Sequence, residues 1–261
     1  MEIVFKNYKY KDNNLSFTIK EDEINGIVTD NIEEIVDIIK LKLKYTGKII
    51  IDGETIKDPI KYKNKINIVP DEIDDNIHFQ TAYSLLENEL LKRKISPKNL
   101  EKKVEDSLKI VGLKEELLDR NIYTLSSYEK KFVQLAMALL SNPDLLILIE
   151  PFKILDKNNE KKLMMLLEKI NESYHKSILI VDSNINYIYK YTNHLILFLN
   201  NKILKEGSTF DILTNVDYLK KNKIDIPDIV EITYLALKNK KVKIDYHKDI
   251  RDIIKDIYKH V

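Results

Sequence analysis

The sequence predicts an α/β fold with a parallel core sheet, an antiparallel β subdomain at the N-terminal side and a helical subdomain. Three observations support this prediction. The chain opens with two runs of alternating apolar and polar residues, typical of paired strands with one solvated face. Continuous apolar runs such as Leu145–Ile149 then alternate with helical patterns, as in a parallel sheet covered on both faces. Between these regions, residues 81–113 show helical spacing.

The N-terminal part of the chain predicts a hairpin, a strand and a helix. Ile3–Tyr10 and Leu15–Ile19 alternate apolar and polar residues, and Asp12-Asn13-Asn14 between them is typical of a turn. The apolar run Ile24–Thr29 indicates a strand, and Asn31–Leu43 has the apolar spacing of a helix.

The middle of the chain contains two short strands and then helices. Lys48–Gly53 reads as a strand that ends in an Asp-Gly turn, and Ile66–Val69 as another, stopped by a proline. Ser96-Pro97 divides the helical stretch 81–113 in two, because proline is favoured in the first turn of a helix. Glu129–Leu140 predicts a further helix.

The C-terminal half continues the alternation. Leu145–Ile149 and Ser177–Val181 predict buried strands on either side of a helix over Asp156–Lys169. Leu195–Leu199 and Lys202–Glu206 then predict a hairpin.

Composition excludes several classes of function. The 261 residues carry a net charge of +1, and Arg occurs only at Arg93, Arg120 and Arg251, so no nucleic-acid partner is predicted. Cysteine is absent and the 5 histidines lack ligand spacing, so we predict no metal site. The apolar runs are far shorter than the ~20 residues of a membrane helix, and no signal-peptide pattern opens the chain. We therefore expect a cytoplasmic protein that contacts a membrane through another protein.

A set of short motifs between residues 125 and 156 resembles the ATP-binding subunits of ABC transporters, at the spacing of that family. In chain order they are Leu125-Ser126-Ser127-Tyr128-Glu129, Asn142-Pro143, Glu150-Pro151 and Leu155-Asp156. They stand at the signature motif, before and after the Walker B strand, and in the loop that follows it. The resemblance implies an ABC-type P-loop NTPase fold, with an ATPase-like domain over residues 1–216 and its helical subdomain at about 81–128.

Other segments of the chain also resemble this family, and one of them resembles a particular group within it. Thr46–Gly53 and Asn201–Gly207 are similar to a strand and a hairpin motif of the same family. The tail that begins at Ile224-Asp225-Ile226-Pro227 is similar to the C-terminal extension of energy-coupling-factor (ECF) ATPases. This resemblance implies a C-terminal helical extension over residues 217–261, in which the lysine-rich sequence predicts two short helices.

The phosphate-binding loop of the family is degenerate in this sequence. G-x-x-x-x-G-K-[ST] binds phosphates because glycines let successive backbone N–H groups surround them and Lys neutralises their charge. The corresponding segment, Gly26–Glu34, has no glycine after the strand and no lysine, and it places Thr29, Asp30 and Asn31 in the loop. We therefore expect the chain to lack an ATP and magnesium site of its own.

Three further positions depart from the motifs that the resemblance implies. Ile149 replaces the Asp that holds magnesium before the catalytic Glu, and Ser183 replaces the switch His. Asp71 aligns with the Gln that senses magnesium and the transporter.

Three residues retain a family identity. Glu150 aligns with the catalytic base; without phosphate and metal it is vestigial, a carboxylate that forms hydrogen bonds at a strand end. Tyr10 aligns with the aromatic residue that stacks on adenine, or is an ordinary strand aromatic. Ser126 aligns with the signature Ser, which acts in trans on the opposite subunit's ATP, although Ser127 and Tyr128 replace the two glycines after it.

These features together predict a non-catalytic subunit that pairs with a second, intact ABC ATPase subunit and docks on a transmembrane transporter subunit at the inner face of the cell membrane. No cofactor is expected in its own site, whereas ATP and Mg belong to a composite site with the partner. Two alternatives remain open. One is an active ATPase whose unusual phosphate loop uses Thr29, Asn31 and lysines from elsewhere; the other is a soluble interaction protein derived from such a subunit.

Overall fold

The computed structural model describes residues 1–40, 46–62, 64–71, 81–92, 100–240 and 244–259. Within these residues it contains ten strands and ten α-helices. The strands are β1 (Ile3–Tyr10), β2 (Asn13–Ile19), β3 (Ile24–Thr29), β4 (Lys48–Ile51), β5 (Glu54–Thr55), β6 (Ile66–Val69), β7 (Leu145–Ile149), β8 (Ser177–Asp182), β9 (His194–Leu199) and β10 (Lys202–Ser208). The helices are α1 (Ile32–Ile39), α2 (Ala82–Lys92), α3 (Leu100–Ile110), α4 (Ser127–Leu139), α5 (Lys157–Tyr174), α6 (Ile185–Tyr191), α7 (Thr209–Leu213), α8 (Val216–Lys221), α9 (Asp228–Lys240) and α10 (Ile250–Lys259).

The core is a six-stranded sheet with the order β10-β9-β3-β8-β7-β6. The pairs from β9 to β6 are parallel, and β10 closes one edge in the antiparallel direction. Strands β3 and β8 are buried along their whole length, because helices or a second sheet cover both faces. The predicted α/β class with a parallel core sheet is therefore confirmed.

A four-stranded antiparallel sheet, β2-β1-β4-β5, and helix α1 cover one face of the core sheet. Phe5 and Phe17 stack with their ring centroids 4.3 Å apart. They share one apolar cluster with Ile35 of α1 and with Ile147 and Val181 of the core strands. This arrangement is the antiparallel N-terminal β subdomain that the sequence predicts.

The helices after β6 cover the opposite face. Leu146 and Ile180, which alternate with the residues of the first face, share a cluster with Val133 of α4, Leu167 of α5 and Ile188 of α6. No helix within the described ranges is both long enough and apolar enough to cross a membrane.

Glycine at position 26 allows α6 to lie close to the central strand. A Cβ atom on Gly26 would lie 2.8 Å from Thr192 Oγ1 and 2.9 Å from Ile188 Cγ2, closer than van der Waals contact allows. Gly26 therefore serves the packing of α6 on β3, in the middle of the strand and away from the phosphate-loop position.

The C-terminal segment binds back onto α6. Lys248 Nζ donates to the Thr192 carbonyl at 2.7 Å, at the C-terminal end of that helix. The Tyr189 hydroxyl donates to the His247 carbonyl at 3.2 Å, and the Asp228 N–H donates to Asn186 Oδ1 at 2.8 Å. These bonds fix the segment to the sheet through α6.

The strands lie where the sequence predicts them, except for the two-residue β5, which was not predicted, and some helices differ. Helices α6 and α7 were not predicted, because their seven and five residues are too few to show a helical period. Three helices, one more than predicted, follow residue 215, and α8 spans the predicted boundary between 216 and 217. The end of the predicted helix Asn31–Leu43 and the Ser96-Pro97 break lie outside the described residues.

Candidate functional site

The connection between β3 and α1 consists of Asp30 and Asn31 alone. Thr29 Oγ1 accepts the Asn31 N–H at 3.0 Å and donates to the Asn31 carbonyl at 3.1 Å. Asn31 caps α1 through Oδ1, which accepts the Glu34 N–H at 3.2 Å. The backbone N–H groups of Asn31 and Glu34 are therefore already bonded within this turn. A phosphate-binding loop would instead direct such N–H groups at its ligand.

Carboxylates surround this connection. Asp30 Oδ2 accepts the Asn200 N–H at 3.0 Å from the β9–β10 turn, and Glu33 and Glu34 occupy the first turn of α1. Lys11 forms an ion pair with Glu34 from the β1–β2 turn. The positive end of the helix dipole is therefore already compensated by the chain's own acidic side chains.

Tyr10 belongs to the same cluster. Its ring lies beside Lys11, with the Nζ 5.2 Å from the ring centroid. Burial raises the pKa of Tyr10, and the Glu34 carboxylate adds to the rise through its charge and a hydrogen bond. Tyr10 is thus linked to the ion pair of Lys11 and Glu34.

At the end of β7, Ile149 and Glu150 point to different surroundings. Ile149 packs against the apolar cluster formed by α1 and the N-terminal sheet. Glu150 has a φ of +40°, which is strained for a residue with a side chain. Its Oε1 accepts from Ser183 Oγ at 2.9 Å, and its Oε2 pairs with Lys153 Nζ at 3.0 Å.

A residue that the sequence prediction missed, Asp182, lies beside Glu150. Its side chain is 3% exposed; Oδ1 accepts the Asn184 N–H at 2.8 Å, and Oδ2 has no hydrogen-bond donor among the described residues. Burial raises the pKa of Asp182 to about 6, against the effect of the Asn184 hydrogen bond and with a contribution from the Glu150 carboxylate. The available signal was a single acid at the end of an otherwise apolar strand.

Ser126 is the N-cap of α4 and forms a capping box with Glu129. Both the N–H and the hydroxyl of Ser126 donate to Glu129 Oε2, at 2.8 and 2.9 Å. Arg120 binds the other oxygen of Glu129 at 2.6 Å. Although burial opposes it, these bonds lower the pKa of Glu129, so the helix end carries an ionised carboxylate.

Asp71 lies at the end of β6 and meets α4 through its backbone. The buried Lys131 of α4 donates to the Pro70 carbonyl at 2.8 Å and to the Asp71 carbonyl at 2.6 Å. This contact ties the edge strand to the helix that begins at Ser126.

Seven of the nine site residues named from the sequence form three groups, while Asp71 contacts Lys131 and Ile149 packs in an apolar cluster. Thr29, Asp30, Asn31 and Tyr10 meet at the start of α1, Glu150 and Ser183 meet after β7 and β8, and Ser126 lies at α4. In the part of the chain that the structure describes, no three acidic or histidine side chains are placed to hold a metal ion. A two-residue connection with internally bonded N–H groups and flanking carboxylates does not fit a triphosphate and its magnesium ion.

Known proteins similar to this chain include transporter ATP-binding proteins. The energy-coupling factor transporter ATP-binding protein EcfA2 of Mycoplasma mobile is 32% identical over 64% of this chain and 54% of its own length. EcfA2 of Mycoplasma capricolum subsp. capricolum is 34% identical over 58% of this chain and 52% of its own length. The chain therefore matches about half the length of these relatives. A putative ABC transporter ATP-binding protein of Pyrococcus furiosus is 28% identical over 88% of this chain and 85% of its own length.

Solved structures share the fold. cbiO1 from Clostridium perfringens, described as part of the ABC transporter complex cbiONQ, superposes with a TM-score of 0.73 at 23% identity, over 89% of this chain and 98% of that one. A dimeric bacterial ABC transporter cassette superposes with a TM-score of 0.65 at 25% identity, over 79% of this chain and 98% of the cassette. The family profile described as ABC transporter matches residues 13–153, more than half of the sequence. This chain belongs to the ABC transporter family of ATP-binding domains.

Proposed function

We propose that this chain is a non-catalytic subunit of an ECF-type ABC transporter, which pairs with an intact ATPase subunit and binds no ATP of its own. The observation that carries the proposal is the two-residue connection between β3 and α1. A cradle for phosphates needs several consecutive N–H groups pointing to one centre, and two residues between a strand and a helix are too few to form one.

Electrostatics support the same conclusion. Nucleotide phosphates would enter beside Asp30, Glu33 and Glu34, of which Glu34 already has Lys11 as its cation. Loss of two charge-assisted contacts of about 1.5–3 kcal/mol each lowers affinity roughly 10²–10⁴-fold. Repulsion from uncompensated carboxylates acts in addition.

The face that would meet a partner's nucleotide is altered as well. The resemblance implies that Ser126 and the start of α4 act in trans, yet the Ser126 hydroxyl already donates to the Glu129 carboxylate. An ionised carboxylate at this helix end repels phosphate where the family has glycine N–H groups. We therefore assign hydrolysis to the partner's residues and a scaffold role to this chain.

The partners in this proposal come from the relatives. The similar proteins from two mycoplasmas are named as energy-coupling factor transporter ATP-binding proteins, and cbiO1 is described as part of a transporter complex. By analogy, this chain contacts a transmembrane transporter subunit and a second ATPase subunit, and lies on the inner face of the cell membrane through them. ATP and Mg then belong to the composite site that the partner's phosphate loop forms.

Isothermal titration calorimetry of the isolated chain with MgATP tests the proposal. We expect a Kd weaker than about 1 mM, because the charge-assisted phosphate contacts of an intact site are missing. Micromolar affinity would contradict the proposal and favour the active ATPase with an unusual loop. In that case Lys11, whose ammonium group pairs with Glu34 at the start of α1, would supply the positive charge that binds the phosphates.

Two variants separate these outcomes. If Lys11 supplies a phosphate contact, Lys11→Ala loses nucleotide affinity and the matched control Lys9→Ala, an exposed residue of β1, keeps it. Under our proposal neither substitution changes the heat of titration. Phosphate release by Glu150→Gln should then equal that of the unmodified chain, and both should equal the buffer background.

A further inference from the structure

The central strand β3 contains the one Asn-Gly dipeptide of the sequence, Asn25-Gly26. Asparagine deamidates spontaneously faster before glycine than before other residues, because glycine has no side chain to hinder the attack of its backbone nitrogen on the preceding amide carbon. The proposed subunit role gives Asn25 no part to play. Whether this dipeptide can react depends on whether the strand is folded.

The side-chain amide of Asn25 is fully buried and bonded through both of its polar atoms. Its Nδ2 donates to the carbonyls of Lys20, Glu23 and Ile178, at 3.0, 3.1 and 3.2 Å. Its Oδ1 accepts the Lys20 N–H at 2.9 Å and lies 3.1 Å from Nδ1 of the buried His194. The amide thus joins the turn before β3 to the neighbouring strands β8 and β9.

The backbone of the dipeptide is held on both sides. Asn25 is in register with Leu179 of β8 and with His194 of β9, and Gly26 follows it in both ladders. Attack of the Gly26 nitrogen on the Asn25 side chain requires rotation of the backbone between the two residues. Two flanking strands oppose that rotation, so the folded chain protects the dipeptide.

We propose that Asn25-Gly26 is a modification site that reacts only when the chain unfolds, and that the reaction prevents the modified molecule from refolding. In the unfolded chain the Gly26 nitrogen bonds to Cγ of Asn25 and the Cγ–Nδ2 bond breaks. The amide leaves as ammonia and takes up the proton of the Gly26 nitrogen. Solvent water then opens the cyclic imide at either carbonyl, which gives aspartate or isoaspartate at position 25, with no change of oxidation state.

Both products conflict with the contacts that Asn25 makes. An aspartate places an oxygen where Nδ2 donates, so a buried carboxylate would face the three carbonyl oxygens that accept from the amide. In isoaspartate the backbone runs through the side-chain carbons, which adds a carbon atom to β3 and shifts the rest of the strand against β8 and β9. The modified chain therefore loses the central strand of the core sheet.

The inference goes beyond the proposed function, since it concerns the chain itself with or without nucleotide and partner. The full chain is incubated at pH 7.5 in native buffer and in guanidinium chloride that unfolds it completely, and each asparagine is followed by peptide mapping with mass spectrometry. We expect Asn25 to deamidate at least about 10²-fold more slowly in native buffer, because only about 10⁻³ or less of a stable domain is unfolded. A smaller ratio would show that the folded strand does not protect the dipeptide.

Refolding tests the second part of the proposal. Chain that has been partly deamidated in guanidinium chloride is diluted into native buffer, and folded molecules are separated from unfolded and aggregated ones by size-exclusion chromatography. The folded fraction should retain Asn25, and the remaining fraction should be enriched in aspartate and isoaspartate at that position. Equal amounts of these products in both fractions overturn the proposal.

Three variants complete the test. In guanidinium chloride, where packing has no effect, Gly26→Ala should slow the reaction of Asn25, and an unchanged rate would exclude attack by the Gly26 nitrogen. Asn25→Asp, made directly, should lower the denaturant midpoint or fail to fold. Asn14→Asp, at an exposed position of β2, is the control for the added charge and should keep the wild-type midpoint. Equal midpoints for these two aspartate variants would contradict the proposal.

Discussion

The carboxylate of Asp182 makes folding stability depend on pH in a direction opposite to that of an ordinary paired acid. Its pKa is raised from 3.8 to about 6, so the folded state binds the proton more tightly than the unfolded state. The contribution to stability is complete below about pH 3.8 and is lost as pH rises through about 6. The full difference corresponds to about 3 kcal/mol, since each pKa unit is worth about 1.4 kcal/mol.

Replacement of Asp182 by Asn should therefore stabilise the chain at pH 7.5 by about 1–3 kcal/mol, because it removes a buried charge and keeps the shape. Near pH 4 the two proteins should have nearly equal free energies of unfolding. Urea denaturation at both pH values measures this, with Asp211→Asn as the control. A gain of the same size at pH 4 and pH 7.5 would show that charge is not its cause.

The residues of the candidate site differ in how well the sequence alone could predict them. Ile149 and Ser183 could be identified as departures because each stands at a fixed place in a linear motif. Asp182 and the carboxylate of Glu129 act through burial and through partners such as Arg120, which depend on tertiary contacts. Which motif positions differ thus remains a prediction from the resemblance, whereas the contacts of these side chains are given only by the structure.

At the scale of elements, α4 depends on its capping box. Ser126→Ala removes the hydroxyl that accepts the Glu129 N–H at 3.2 Å, which should cost about 1 kcal/mol of stability. Ser127→Ala is the matched control, because Ser127 is exposed and begins the helix without capping it. Equilibrium unfolding in urea should separate the two variants, and equal stability would mean that Ser126 does not act as a cap.

The packing of α6 on β3 gives another prediction. Gly26→Ala should destabilise the fold by about 1–3 kcal/mol, because the new methyl group meets Thr192 at 2.8 Å and Ile188 at 2.9 Å. In a Thr192→Ala background one of these conflicts is absent, so the cost of Gly26→Ala should be smaller. Thermal unfolding of the four proteins in this cycle measures the coupling, and purely additive effects would contradict the close contact.

The same packing shows why some elements were predictable and others were not. Strands β3, β7 and β8 are short apolar runs bounded by polar residues, so their existence followed from the sequence. Helix α6 has seven residues and is fixed by contacts with Gly26 and Lys248, which lie far away along the chain. Its formation depends on those tertiary contacts and leaves little local signal.

At the scale of the whole molecule, the starts of α1 and α4, to which the resemblance assigns nucleotide contacts, are both bonded to the chain's own side chains. The start of α1 is closed by Asn31 and by the Lys11–Glu34 pair, and the start of α4 by Ser126 and Glu129. The Lys11–Glu34 pair joins the β1–β2 turn to α1, whereas the Ser126–Glu129 bonds lie within one segment. The fold of an ABC cassette is thus retained while both helix ends carry negative charge.

This arrangement predicts that nucleotide does not drive self-association of the chain. In a symmetric pair, each ATP would need the α1 start of one copy and the α4 start of the other, and both positions place carboxylates against the phosphates. Sedimentation velocity should therefore give the same coefficient with and without MgATP, at every protein concentration tested. Glu129→Gln should leave this result unchanged, because the β3–α1 connection remains two residues long. A dimer that forms only with MgATP would show that these helix ends accept phosphate after all.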